Sequence, residues 1–204
     1  MLRSRTPILL IVMTFMMAAT LPAMALELGG HIRDGVVVGL DFGYGWNNVK
    51  FKDTEGAEVS TGDIETFNGG FQVGWAPNDN FFGSIGMNGW RRNYNTLAGN
   101  IDGRYYSFML EGYFFPRGEG FWIKGGIGRG TLDLTFIPPG ERYNINEKGL
   151  ALTTGAGYEL RVADTTAVAL AYIYQHTDVG DFGGGTDTTV RSHVASLTIR
   201  FYVQ

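Results

Sequence analysis

The sequence predicts an all-β protein, an eight-stranded antiparallel up-and-down transmembrane β-barrel. Three observations carry this reading. Eight segments after residue 34 alternate large apolar residues with small or polar ones at a period of two, the mark of strands with two unlike faces. Their connections alternate short and long, which gathers the short turns at one end of a meander. The 204 residues include 31 glycines and 14% aromatics but only 18% charged residues, although glycine weakens a strand in a soluble sheet.

The segment "GVVVGLDFGYGW" (35–46) sets Val36, Val38, Leu40, Phe42, Tyr44 and Trp46 on one face and Val37, Gly39, Asp41, Gly43 and Gly45 on the other. In 64–76, Phe67, Phe71, Val73 and Trp75 oppose Thr66, Asn68, Gly70, Gln72 and Gly74. In 81–91, Phe81, Ile85 and Met87 oppose Ser84, Gly86 and Asn88. In 104–115, Tyr106, Phe108, Leu110 and Phe114 oppose Ser107, Glu111 and Tyr113. Segment 121–136 starts with Phe121, Ile123 and Ile127 against Lys124, Gly126 and Gly128; beyond Arg129 the apolar residues are Leu132, Leu134 and Phe136. That change of parity predicts a β-bulge. In 148–161, Leu150, Leu152, Tyr158 and Leu160 oppose Thr153, Gly155, Gly157, Glu159 and Arg161. In 165–175, Val168, Leu170, Tyr172 and Tyr174 oppose Ala167, Ala169 and Ala171. In 189–203, Leu197, Ile199, Phe201 and Val203 oppose Ser196, Thr198, Arg200 and Tyr202. Short turns are expected at 77–80, 116–120 and 162–164, and long polar loops at 47–63, 91–103, 137–147 and 176–188.

The polar face decides what surrounds the barrel. A soluble barrel needs an outer surface about a quarter or more charged. Here that face is mostly Gly, Ala, Ser and Thr, which suits the crowded interior of eight strands. The apolar face, with aromatics towards the strand ends (Tyr44, Trp46, Trp75, Phe114, Phe121, Tyr172, Tyr174, Phe201), suits lipid and its two interfaces.

Residues 1–25 read as a signal peptide: "MLRSR", the apolar run "PILLIVMTFMMAATL" and the small-x-small site "AMA" follow the secretory pattern. Residues 26–34 form an N-terminal periplasmic segment and 35–204 the barrel. The net charge of −4 gives no nucleic-acid footprint. With no cysteine, there is neither a disulfide nor a thiolate metal site.

With its meander, loop asymmetry and polar lumen, the chain resembles the small eight-stranded outer-membrane barrels: the opacity-type surface proteins and the transmembrane domain of outer-membrane protein A. The resemblance spans residues 35–204. It implies a monomer in the bacterial outer membrane, inserted by the barrel-assembly machinery, among outer-membrane lipid and lipopolysaccharide. Such barrels usually end in an aromatic residue, whereas this chain ends in Gln204 after Phe201 and Val203.

Six charges are expected in the lumen: Asp41, Glu111, Lys124, Glu159, Arg161 and Arg200. Charges out of water persist only when paired, so they read as a structural polar network. Lys124 is the expected partner of Glu111 around the 116–120 turn, and Arg200 that of Asp41 across the closing seam. Arg91, Arg92 and Arg104 near the outer rim are candidates for lipopolysaccharide phosphate, which Arg binds bidentately. No catalytic set is expected. Acyl transfer needs a nucleophile, a base and an orienting acid, and His31, His176 and His193 have no suitable neighbours in sequence. Asp178, Asp181 and Asp187 match no calcium template, and no metal or cofactor is expected. The function expected is structural or surface interaction through four extracellular loops with an unidentified surface ligand. A narrow channel is the alternative, and a lipid A acyl hydrolase or transferase a more distant one.

Overall fold

The computed structural model describes residues 35–52, 56–96, 99–118, 120–137, 143–181 and 187–203. The expected signal peptide, the 26–34 segment and Gln204 lie outside them.

The strands are β1 (Gly35–Lys52), β2 (Glu58–Ser60), β3 (Ile64–Asn78), β4 (Phe81–Thr96), β5 (Gly99–Phe114), β6 (Phe121–Ile137), β7 (Tyr143–Ala163), β8 (Thr166–Asp181) and β9 (Asp187–Val203). Each long strand pairs antiparallel with its neighbour in sequence, and β1 also pairs with β9, from Val36↔Val203 to Lys52↔Asp187. Eight strands thus close into an up-and-down barrel with no free edge across the apolar band, which satisfies the backbone in a medium that offers no hydrogen bonds. β2 is an addition that pairs with the far end of β1, from Lys50↔Ser60 to Lys52↔Glu58.

At the short-turn end, Asn78 Oδ1 accepts the backbone N–H groups of Asn80 (2.9 Å) and Phe81 (3.0 Å) and folds the β3–β4 connection. Gly118 and Gly120 take φ of 73° and 70° between β5 and β6, a left-handed conformation that glycine adopts without steric cost.

Alternation in the sequence locates the faces. Outward residues such as Phe108 (58% exposed), Leu110 (61%) and Ile127 (51%) form a broad apolar surface. A soluble protein does not present such a surface to water; lipid is the solvent that fits it. Trp75, Phe81, Phe114, Phe121 and Phe201 ring the short-turn end, and Tyr44, Phe67 and Tyr106 lie towards the other.

Two expectations require correction. The long connections are largely strand: β4 and β5, for example, stay paired as far as Thr96↔Gly99. Backbone pairing continues past the apolar band because polar outward residues tolerate water as well in a ladder as in a loop. The bulge near Arg129 is absent. The β5–β6 register runs unbroken from Asn100↔Ile137 to Phe114↔Ile123, and β6–β7 from Phe121↔Tyr158 to Phe136↔Tyr143. Leu132 therefore points inwards and is fully buried, with Leu134 packed beside it. The parity of the apolar residues changes because the interior itself becomes apolar at this hairpin end.

The interior has two packed clusters. Val37, Phe82, Tyr113, Phe115, Trp122 and Tyr202 pack with β8 alanines near the short turns. Val49, Trp90, Tyr105, Leu132, Val179 and Val190 pack at the hairpin end. The paired ions Arg200–Glu159 and Lys124–Glu111 contact the rings of the short-turn cluster.

Candidate functional site

Arg200 on β9 and Glu159 on β7 are not on neighbouring strands. Their ladder partners on the intervening β8 are Ala167 and Ala169. These short side chains leave room for the long ones to meet above them. Arg200 Nη1 donates to Glu159 Oε2 at 2.6 Å, both side chains being 1% exposed, and Tyr202 Oη donates to Glu159 Oε1 at 2.8 Å. Around the guanidinium carbon stand the rings of Tyr113 (4.7 Å), Trp122 (5.1 Å) and Phe82 (5.6 Å). An aromatic cage of this kind partly replaces the hydration that a buried cation loses.

A second cluster repeats the device. Lys124 Nζ donates to Glu111 Oε1 at 2.7 Å. The two are diagonal in the ladder, since Glu111 faces Gly126 and Tyr113 faces Lys124. Tyr113 Oη lies 2.8 Å from Glu111 Oε2 and 2.9 Å from Gln72 Oε1. Gln72 sits on β3, so this contact spans β4, whose inward residues here are Ser84 and Gly86.

The expected Asp41–Arg200 pairing is not formed. The closing register sets Arg200 opposite Gly39 and Asp41 opposite Thr198, and Thr198 Oγ1 lies 2.5 Å from Asp41 Oδ1. Asp41 borders a cavity of about 40 Å³ shared with Asn68, Asn88, Glu111, Lys124 and Gln175, room for a very few waters. Arg161 lies near the short turns: its guanidinium covers the Tyr202 ring at 3.7 Å and donates to the Asp164 carbonyl at 3.1 Å.

Sequence reasoning missed the cage. Its signal was available in "FF" (81–82) and "FW" (121–122): adjacent strand residues face opposite ways, so one aromatic of each pair has to enter the lumen.

At the hairpin end, Arg91 and Arg104 both hold Asp102, with Nη2 atoms 2.8 and 3.0 Å from Oδ2. Arg92 donates to the Glu65 carbonyl at 2.8 Å. All three lie on strands rather than in a loop. A cleft of about 430 Å³ opens beside Lys50, Lys52, Glu58, Asp178, Asp187 and Arg191, where Lys50 pairs with Glu58 and His176 Nε2 lies 3.0 Å from Asp178. The nearby Lys50 ammonium holds the Glu58 carboxyl below its ordinary range. His193 Nδ1 meets Tyr172 Oη at 2.7 Å. Among the described residues no group of three His, Asp or Glu side chains is placed to hold a metal ion.

Comparison with known proteins agrees with this geometry. The crystal structure of Ail, the attachment invasion locus protein of Yersinia pestis, in complex with the heparin analogue sucrose octasulfate, superposes with a TM-score of 0.56 at 16% identity, covering 82% of this chain and 99% of that one. Neisserial surface protein A superposes with a TM-score of 0.54 at 17% identity, covering 83% and 97%. At these identities the likeness is one of fold. A search of curated proteins found no match. The family described as the outer membrane protein beta-barrel domain matches residues 11–201, and the chain belongs to that family.

Proposed function

We propose that this protein is a closed, non-enzymatic barrel that presents its long hairpins at the cell surface for interaction with other surface molecules. The lumen carries the reading. It is filled at both ends by buried side chains, and its buried ions are tied to each other among them. Such an interior stabilises a wall and offers solutes no path. The paired strands that continue past the apolar band, with β2 added to one of them, form a stiff platform. The 430 Å³ cleft there carries both signs of charge, which suits a polar surface ligand better than a polyanion.

In this reading the hairpins are extracellular, the short turns periplasmic and the signal peptide is removed after Ala25. The barrel works as a monomer, since closure leaves no sheet edge within the apolar band to pair with a second copy. Planar-bilayer recording tests the central claim. The expected trace is flat under an applied potential, and reproducible conductance steps from purified protein would replace this reading with the channel.

A further inference from the structure

The outer wall holds two cations that the barrel does not use. Arg129 on β6 faces outwards and is exposed, and its ladder neighbours are Phe108 on β5 and Leu150 on β7. Both neighbours are exposed apolar residues, at 58% and 53%. A guanidinium is thus set into a notch of the lipid-facing band, where an outward charge is destabilising unless it lies near the interface or finds an anion. Two residues on, the buried Thr131 stands between Tyr106 on β5 and Lys148 on β7, both of them exposed. Lys148 is therefore a diagonal neighbour of Arg129, within reach of a shared ligand for side chains of this length.

Among the described residues no carboxylate pairs with these cations. Asp102 is held by Arg91 and Arg104. Asp133, next along the β6 face, accepts from Asn146 Nδ2. Asp178, opposite Leu150, contacts His176. Among the described residues, neither Arg129 nor Lys148 has an ion-pair partner.

We propose that Arg129 and Lys148, with the Tyr106 hydroxyl, form a binding site for the phosphomonoester headgroup of an outer-leaflet lipid. A phosphomonoester carries about −1.5 to −2 charge at pH 7 and three strong acceptor oxygens, which match a guanidinium, an ammonium and a phenolic hydroxyl. The lipid's acyl chains then lie along the apolar band below. This site rests on the orientation proposed above, with the hairpins outside. It differs from the Arg91–Arg92–Arg104 set, where two arginines already hold Asp102.

Native mass spectrometry of detergent-solubilised protein tests the site, with phosphatidic acid as the phosphomonoester probe, phosphatidylglycerol as the phosphodiester control and inorganic phosphate as competitor. The wild type should retain one phosphatidic acid at least tenfold more tightly than phosphatidylglycerol. Arg129→Gln with Lys148→Gln should lose that binding at least tenfold, Lys148→Arg should keep it and Arg91→Gln should not alter it. Boiling-dependent gel mobility checks folding, and the two single variants serve if the double variant misfolds. Undiminished binding by the variants, or equal binding of the two lipids, would overturn the proposal. Full displacement by millimolar phosphate would make this a free-phosphate site and overturn the lipid assignment. An epitope placed within 138–142 and labelled on intact cells reports orientation separately. Lipid binding with an unlabelled epitope rejects the orientation alone, while a labelled epitope without lipid binding rejects the site alone.

Discussion

Replacing Arg200 by Met removes the guanidinium that donates to Glu159 Oε2 and leaves the Tyr202 Oη contact to Oε1 in place. Both charges are 1% exposed, and removing one partner of such a pair costs about 3–5 kcal/mol. Glu159→Leu leaves the guanidinium among Phe82, Tyr113 and Trp122. Cation–π attraction of about 0.5–2 kcal/mol stays with it in that variant, so its cost should be lower, about 2–4 kcal/mol. The double variant removes both ions and keeps apolar volume, which is often near neutral. The coupling energy in a double-mutant cycle should therefore be at least about 3 kcal/mol. Urea titration in lipid vesicles, followed by tryptophan fluorescence, measures it. Single costs that add to within about 0.5 kcal/mol would refute the pairing. Asp41→Leu, by contrast, should be additive with Arg200→Met, because Asp41 faces Thr198.

Leu40 is outward and exposed, opposite Phe71 and Ile199; Leu40→Arg should cost roughly 2–4 kcal/mol near mid-membrane, and a negligible change in the same titration would reverse the assignment of faces. A Cβ at Gly157 would collide with the Trp122 ring, so Gly157→Val should destabilise by about 1–3 kcal/mol and shift tryptophan emission; unchanged emission and stability would count against the packed cage. Lys50 holds Glu58 below its ordinary value of 4.5. Attachment of β2 should therefore be full above that value and weaken as pH falls through the lower folded one. Amide protection at Glu58–Ser60, corrected for intrinsic exchange, reads this out, and Glu58→Gln should flatten the profile.

The number of strands, the direction of the meander and the faces of most residues were legible in the sequence. Side-chain parity is a local property of each strand, and the "GVVVGLDFGYGW" stretch shows it without reference to any neighbour. The Glu111–Lys124 contact was legible for a similar reason: one short turn joins their strands, and distance from that turn sets the pairing. The partner of Arg200 was not. The β1–β9 seam joins the two ends of the chain, no turn sets its register, and a displacement of two residues replaces Asp41 with Gly39 opposite Arg200. Its actual partner lies two strands away on β7, reached only because alanines on β8 keep the space open. The inward turn of Leu132 likewise depends on what the other strands place beside it: Trp90, Tyr105 and Val190 make that end of the lumen apolar. Periodicity gives two faces, but closure of the barrel decides which side chains meet across the interior.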